Sequence, residues 1–214
     1  GVPIAVQDGL IQVAFLIITI IVNRRGLNDA AAVGIVEKII SFLFLVPSSL
    51  LSTVSALGAQ NIGAGKPERA RATLRYALLI AVCFGGAMIL TMQLFAEPVV
   101  SLFTDNTTAD GAAVVRLGGQ YLRGYVWDCL FAGLHFSFSG YFCACGRSEL
   151  SFLHNIIAIV LVRVPGVYLT SKLFADTLYP MGLATAGGSL LSAVICVIAY
   201  RIITRKAALC AVGE

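Results

Sequence analysis

Ionisable residues are scarce in this chain, and several of them stand inside long apolar stretches. Charged residues make up 12% of the 214 positions. A charged group in hydrocarbon is costly, so such residues usually face a bundle interior or a water-filled cavity and mark a functional site. The candidates for binding a substrate or an ion are Gln7, Asp8, Gln12, Glu37, Tyr125, Asp128, His135 and Arg163.

The fourth apolar stretch carries a polar stripe. Tyr121, Tyr125, Asp128, His135 and Ser139 follow one another in steps of three, four and seven residues, which places them along one face of an α-helix. Aromatic rings beside a desolvated carboxylate could hold an organic cation. Hydrogen bonding between helices is the alternative role of the same stripe.

Asp128 and Arg163 have a similar expected depth. Both lie roughly 20 Å from the same end of two consecutive antiparallel helices, at ~1.5 Å per residue, so they could form an ion pair. A paired Asp128 would stay ionised and carry protons poorly, whereas an unpaired Asp128 would suit proton coupling. The sequence leaves both roles open.

Asp8 forms a second polar group, near the start of the chain. With Gln7 and Gln12 it offers oxygen atoms that could bind a cation or accept a proton. The same residue could instead lie at the lipid headgroup boundary. We favour a functional role.

The apolar stretches have the length of membrane-spanning helices. Hydrophobic residues make up 58% of the chain and the mean hydropathy is +0.91, outside the range of soluble domains. A helix needs about 20 residues to cross the hydrocarbon core, and the alternation of a membrane β-barrel is missing. The predicted spans are residues 2–22, 30–57, 74–94, 118–144, 150–171 and 181–203.

The predicted fold class is therefore all-α, a polytopic membrane protein with a six-helix bundle. The bundle covers residues 1–206 and is followed by a cytoplasmic tail, residues 207–214. Pro47 and Pro165 fall within spans, where proline frees a carbonyl group and should kink the helix. Pro98 is expected to mark the outward end of the third span.

Basic residues are distributed unequally between the two ends of the predicted bundle. One end carries Lys66, Arg69, Arg71, Arg75, Arg147, Arg201, Arg205 and Lys206, and the other carries Arg24, Arg25, Arg116 and Lys172. The richer end is expected to be cytoplasmic, which puts both chain ends in the cytoplasm. Because these residues flank the spans, the net charge of +4 indicates orientation and not a nucleic-acid partner.

No metal or nucleotide site is expected. The six cysteines lie in spans or at their cytoplasmic ends and match no zinc spacing, so we interpret them as packing residues. The Gly65-Lys66 step resembles a phosphate-binding loop, but Gln60 replaces its first glycine and Pro67 its hydroxyl residue. We interpret it as a tight turn.

Several stretches resemble the multidrug and toxic compound extrusion (MATE) transporters. They are GVPIAVQ, AAVGIVEKIISFLFLVPSSLLSTVSALGAQNIGAGKPERAR, GYFCACGRSELS and the Arg163-Val164-Pro165 step before Tyr168. Such transporters have two six-helix bundles, and this chain is similar to the C-terminal one. The resemblance implies that an N-terminal half-bundle of the same protein is missing here, and the lack of an initiator Met fits such a piece.

The resemblance also implies a function. MATE transporters are secondary active antiporters of the cytoplasmic (inner) membrane that export organic cations or drugs in exchange for Na⁺ or H⁺. In some branches acidic residues on the first and fourth helices of this bundle bind the coupling ion. Asp8 and Asp128 are the nearest candidates, although neither matches the pattern fully. The expected place on the first helix lies near Ile11, and the one on the fourth helix lies closer to His135 than to Asp128. The implied partners are the lipid bilayer and small organic cations, without a cofactor.

Two other functions compete with export. A lipid-linked oligosaccharide flippase of the same superfamily should line its cavity with several basic residues that hold pyrophosphate, and this bundle offers only Arg163, Arg123 and Lys38. An intramembrane aspartyl enzyme needs two carboxylates at one depth, whereas Asp8 and Asp128 differ by roughly 10 Å at ~1.5 Å per residue. We therefore expect no enzyme.

Overall fold

The computed structural model describes residues 2–104 and 107–212, and it describes the side chains of residue 9, residues 12–104 and residues 107–204. In these ranges the chain forms nine α-helices and one π-helical turn. They are α1 (Val2–Asn23), α2 (Leu27–Leu43), α3 (Leu45–Gly63), α4 (Pro67–Ser101), α5 (Ala109–Tyr125), α6 (Trp127–Ala144), α7 (Ser148–Ala158), the π turn (Ile159–Arg163), α8 (Val164–Leu173) and α9 (Tyr179–Val212). The described residues include no β-strand, which confirms the predicted fold class.

The helices join into six segments. The second segment is α2 with α3, the fourth is α5 with α6, and the fifth is α7, the π turn and α8, while α1, α4 and α9 are the first, third and sixth. Four segments are long and apolar enough to cross a membrane in the described part of the chain: Leu27–Gly63, Pro67–Ser101, Ser148–Leu173 and Tyr179–Thr204. Together they fit the predicted membrane bundle.

Prolines lie beside irregular backbone in the second and fifth segments. Phe44 (φ −74°, ψ −6°) separates α2 from α3, and Pro47 follows it by three residues. Pro165 is the second residue of α8, which follows the π turn. A proline cannot donate to the carbonyl group four residues earlier, so the helix loses its regular bonding there.

The expectation that Pro98 ends the third span is wrong. Helix α4 continues through Pro98 to Ser101, and the backbone leaves helical geometry at Phe95 (φ −118°, ψ 17°). The missing donor therefore bends this helix instead of ending it.

The fourth segment packs against the second, third, fifth and sixth segments, and the fifth segment also packs against α1 and α9. Since α1 also contacts α2, five segments surround a central space, with α4 outside this ring. Large buried side chains of the fourth segment, Tyr121, Leu122, Tyr125 and Phe142, fill the core.

Glycines allow the fourth and sixth segments to touch backbone to backbone. A Cβ atom on Gly182 of α9 would lie 2.5 Å from the carbonyl oxygen of Tyr121, and one on Gly124 of α5 would lie 2.5 Å from that of Tyr179. No real side chain tolerates such a distance. Small residues commonly bring membrane helices this close, because close packing replaces the hydrophobic effect there.

Arg25 ties two turns together at one end of the bundle. Its Nε donates to Asp29 Oδ2 at 2.6 Å, its Nη1 to the carbonyl oxygens of Ser171 at 2.9 Å and Phe174 at 3.0 Å, and its Nη2 to that of Ala175 at 2.7 Å. These carbonyl groups lie at the end of α8, where they lack partners within the helix and the dipole attracts a cation. Arg25 thus caps α8 and joins it to the turn between α1 and α2.

We predict that Gly182→Ala lowers the stability of the bundle by about 1–3 kcal/mol, because the added methyl group forces α5 and α9 apart. Gly86→Ala in α4 is the matched control, since a Cβ atom there meets nothing within 4 Å. Thermal unfolding in detergent measures both variants. Equal midpoints for the two variants would contradict the close packing.

We further predict that Arg25→Lys speeds amide hydrogen exchange at the end of α8 by about tenfold, since a lysine cannot bond to several carbonyl groups in this fork geometry. The neighbouring Arg24 is exposed, so Arg24→Lys should leave the exchange of Phe174 and Ala175 unchanged. Exchange followed by mass spectrometry tests this, and an identical rate in the two variants would rule out the cap.

Candidate functional site

Arg163 reaches the centre of the bundle from the π turn, a type of helix irregularity often found at functional sites. Its side chain is 14% exposed. Its Nη2 donates to the Tyr125 hydroxyl oxygen at 2.9 Å and lies 3.5 Å from Asp128 Oδ2. Its Cζ lies 5.3 Å from the centre of the Phe15 ring, within reach of a cation–π interaction. One guanidinium group thus connects the first, fourth and fifth segments.

Asp128 is the buried partner of this guanidinium. Its side chain is 0% exposed, and its second oxygen, Oδ1, has no hydrogen-bond partner among the described residues. A buried carboxylate without a counter-charge would be strongly unfavourable. Of the two arrangements that the sequence left open, the structure contains the ion pair.

Glu37 of α2 is a second carboxylate beside this pair. It lines a cleft of about 450 Å³, and its Oε1 is buried without a hydrogen-bond partner in the described part of the chain. The other lining residues are Gln12, Phe15, Ile40, Ser41, Phe44 and Tyr125. Arg163 is close enough to interact electrostatically with Glu37. The cleft therefore combines a free carboxylate oxygen with three aromatic rings.

The charges of this group do not cancel. The charged side chains described around the cleft are two carboxylates, Glu37 and Asp128, and one guanidinium, Arg163. Because Asp128 contacts Arg163 directly, Glu37 is the carboxylate without a direct counter-charge among the described side chains around the cleft. In surroundings of low polarity such a charge attracts a cation more strongly than it would in water.

A smaller cavity of about 110 Å³ adjoins the cleft and shares Phe15 and Phe44 with it. Its other lining residues are His135, Phe136, Asn155, Ala158, Ile159, Arg163, Gly188, Ser189 and Ser192. His135 is 4% exposed, and its Nδ1 has no hydrogen-bond partner among the described residues. This cavity therefore contains hydrogen-bonding groups that the protein itself leaves unused.

His154 lies next to His135, with ring centres 5.5 Å apart, but its ring is fully bonded. Its Nε2 lies 2.8 Å from Ser139 Oγ and its Nδ1 lies 3.0 Å from Ser192 Oγ. Ser192 Oγ also donates to the carbonyl oxygen of His154 at 3.3 Å. Both ring nitrogens are therefore within hydrogen-bond distance of a serine hydroxyl. His154 is thus a structural histidine.

The structure brings most of the predicted site residues together. Gln12, Glu37, Tyr125, Asp128, His135 and Arg163 all lie at or directly behind the two cavities. The side chains of Gln7 and Asp8 lie outside the described residues. All five residues of the stripe from Tyr121 to Ser139 are buried, although Val126 separates α5 from α6.

Sequence reasoning missed Phe15, Phe44, Asn155, Ser189 and Ser192 as lining residues. Nothing in the sequence of an apolar stretch distinguishes a phenylalanine that lines a cavity from one that faces lipid. Single serines in helices mostly bond to their own backbone. The spacing of Ser189 and Ser192 by three residues was the only available signal, and it is weak.

Other polar residues lie outside this site. Arg123 bonds to Glu97 Oε1 at 3.0 Å, at the contact between α4 and α5, and Lys38 is exposed. In the part of the chain that the structure describes, no three His, Cys, Asp or Glu residues converge on a possible metal position.

Comparisons with known proteins agree with this architecture. "Probable multidrug resistance protein YoeA" of Bacillus subtilis (strain 168) is 27% identical over 172 residues, which cover 80% of this chain and 36% of that protein. The "FAD transporter" of Shewanella oneidensis is 27% identical over 165 residues, 76% of this chain and 35% of that protein. The chain therefore spans about a third of the length of these relatives.

A solved structure shares the fold over almost the whole chain. "Crystal structure of MATE in complex with MaL6" superposes with a TM-score of 0.86 at 18% identity, and the match covers 98% of this chain and 46% of that one. The MatE family model matches residues 3–169, most of the sequence. The expected resemblance is thereby confirmed, and the chain belongs to the MatE family of transporters.

Proposed function

We propose that this chain forms half of a secondary active antiporter that exports small organic cations in exchange for Na⁺ or H⁺. The observation that carries the proposal is the unpartnered carboxylate oxygen of Glu37 in an aromatic cleft. Aromatic faces and a carboxylate with little water around it are the groups that bind organic cations in proteins. The names of several relatives, which refer to multidrug resistance, support the same function.

Exchange follows from competition for a single charge. One coupling ion or one monovalent organic cation neutralises the excess charge at Glu37, and both at once would leave the cleft positive. Binding of either cation therefore favours release of the other. If the two cations also prefer different conformations, their alternation drives transport.

Asp128 and Arg163 have a positioning role in this proposal. Their contact fixes Tyr125 and Phe15 on two sides of the guanidinium, so the pair shapes the wall of the cleft. Asp8 stands one helical turn before Gln12 on α1, and residues four apart share a helix face. We therefore retain Gln7 and Asp8 as further candidates for binding the coupling ion.

The second wall of the cleft comes from a partner. We propose that an N-terminal half-bundle of the same protein supplies it, because the cleft is open on one side and the relatives are about three times as long as the matched region. The bundle of residues 1–206 would lie in the cytoplasmic membrane with both of its ends and the tail, residues 207–214, in the cytoplasm. The irregular backbone near Pro47 and Pro165 would bend as the halves alternate.

The flippase alternative has less support. Pyrophosphate recognition needs several basic groups, and the described lining of the cleft and the small cavity includes one, Arg163. Arg123 bonds to Glu97 instead. Membership of a transporter family likewise favours transport over catalysis.

We predict that Glu37→Gln lowers the apparent affinity for ethidium about tenfold or more, since it removes the charge that attracts the cation. Lys38→Gln changes an adjacent exposed charge and should leave the affinity unchanged. The complete transporter is expressed in an efflux-deficient bacterium, and ethidium retention is followed under imposed sodium or proton gradients. The gradient that drives efflux identifies the coupling ion.

Unchanged ethidium efflux by Glu37→Gln, with equal amounts of protein in the membrane, would show that the cleft does not bind the cation. Absence of efflux for every cationic dye in the wild type would argue against drug export itself. Translocation of a lipid-linked sugar would then be the next assay.

We also predict that Asp128→Asn and Arg163→Gln each destabilise the bundle by about 3 kcal/mol, because each leaves an unpaired buried charge. The double variant Asp128→Asn/Arg163→Gln should recover most of this loss. A double-mutant cycle from thermal unfolding measures the coupling. Additive losses would mean that the two side chains do not stabilise each other.

A further inference from the structure

An apolar groove lies on the outside of the bundle, between α4, α6 and α9. It has a volume of about 430 Å³, and all of its described lining residues are apolar, among them Leu78, Leu134, Phe138, Val194 and Ile198. It shares no described lining residue with the cleft or the small cavity. We propose that this groove binds an anionic phospholipid, with an acyl chain in the groove and the phosphate group beside Arg75 and Arg201. The proposal does not depend on the cation site at Glu37.

The shape of the groove suits an acyl chain. Helix α6 packs against both α4 and α9, and its lining residues are buried or partly buried, so α6 forms the floor. On α9 the lining residues extend from Leu190 to Ile198, a length of ~12 Å at ~1.5 Å per residue. One leaflet has about half of the ~30 Å of hydrocarbon in a bilayer. The groove therefore follows an acyl chain through most of one leaflet.

Two arginines stand where the groove approaches the basic end of the bundle. Arg75 precedes Leu78 by three residues on α4, and Arg201 follows Ile198 by three residues on α9. Because consecutive segments cross in alternating directions, the start of the third segment and the end of the sixth lie at the same end. Residues three apart share a helix face, so both arginines stand about one turn, ~5 Å, beyond the apolar lining.

These two arginines are available to an anion. Both are exposed, and neither forms an ion pair with a side chain that the structure describes. Glu68, seven residues before Arg75, instead accepts a bond from Arg71 at 2.6 Å. A guanidinium group donates to phosphate oxygens in a fork geometry that fits them well. Two unpaired arginines at one end of the groove therefore match a phosphate headgroup.

The neighbouring Tyr76 supports the expected depth of this headgroup. Its side chain is 68% exposed, and it follows Arg75 directly on α4. Exposed tyrosines are typical of the boundary between hydrocarbon and headgroups, and arginine side chains extend towards the same level. Basic pockets between membrane helices at this level bind anionic lipids. A zwitterionic lipid fits less well, because the arginines repel its ammonium group.

A lipid fits this surface better than a protein does. The lining is apolar at the depth of the hydrocarbon, which a partner in water does not reach. A second copy of the chain in the same orientation would bring its own Arg75 and Arg201 to the same depth, and like charges repel each other there. The proposed N-terminal half-bundle covers the cleft, which is lined mostly by residues of α1 and α2.

Two lipids that differ in headgroup charge test this inference. Dioleoyl phosphatidylglycerol is anionic, and dioleoyl phosphatidylethanolamine is a zwitterion with the same acyl chains. Native mass spectrometry of the complete transporter in detergent, titrated with each lipid, counts the bound lipids and gives the dissociation constant of the first. We expect phosphatidylglycerol to bind about tenfold tighter, because the two arginines attract its net charge.

The contribution of the headgroup is tested by removing the two charges. Arg75→Gln/Arg201→Gln should bring the affinities for the two lipids close together. Arg24→Gln/Arg116→Gln is the matched control, because it removes two exposed charges from the opposite end of the bundle and changes the net charge equally. The control should keep the preference for phosphatidylglycerol.

The contribution of the acyl chain is tested by filling the groove. Val194 is 47% exposed, so Val194→Trp places a ring in the groove without entering the core. It should weaken both lipids about tenfold, since apolar contacts of the chain are lost. Val82→Trp on α4 is the matched control, because Val82 is 49% exposed and does not line the groove. It should leave both affinities unchanged.

Several outcomes would overturn the proposal. They are equal affinity of the wild type for both lipids, a preference that survives Arg75→Gln/Arg201→Gln in folded protein, and unchanged binding by Val194→Trp. Displacement of phosphatidylglycerol by glycerol 3-phosphate would show that the site binds the phosphate without the chain. A dimer that Val194→Trp dissociates would show that a second copy covers the groove. If the double arginine variant fails to fold, Val194→Trp decides alone.

Discussion

The structure depends on the backbone contact between its fourth segment and the helices around it. Gly124 and Gly182 bring α5 and α9 together, and Gly140 places α6 against α3, where a Cβ atom would lie 2.6 Å from the carbonyl oxygen of Leu51. Lipid gives little hydrophobic drive for helices to associate, so close contact of small residues must supply the attraction. This contact brings the polar stripe from Tyr121 to Ser139 into the interior.

Burial of that stripe explains the arrangement of charges. Asp128 is fully buried and needs a counter-charge, and the fifth segment provides Arg163 from a π turn. The ion pair leaves Glu37, on a different segment, as the carboxylate without a direct counter-charge among the described side chains around the cleft. A buried ion pair and an unpaired carboxylate therefore stand in one small region of the bundle.

Two phenylalanines connect the positive and the negative parts of the site. Phe15 and Phe44 line both the cleft and the small cavity, and Phe15 also lies beside the Arg163 guanidinium. Phe15 belongs to α1, and Phe44 stands between α2 and α3. A movement of α1, or a bend near Phe44, would change the cleft and the small cavity together. The site is thus physically linked to the irregular backbone at Phe44.

The sequence by itself determined the class of fold and most of the polar site residues. Long apolar stretches can satisfy their backbone groups in lipid only as helices, and a residue such as Glu37 or Arg163 is too costly there without a role. Pairing, by contrast, depended on tertiary structure, because Asp128 and Arg163 are adjacent only once two segments pack at one register. Tertiary structure also decided the effect of Pro98, which bends α4 instead of ending it. It likewise decided the role of Phe15 and Phe44, because their side chains differ from other apolar ones only where the surrounding segments enclose a cavity.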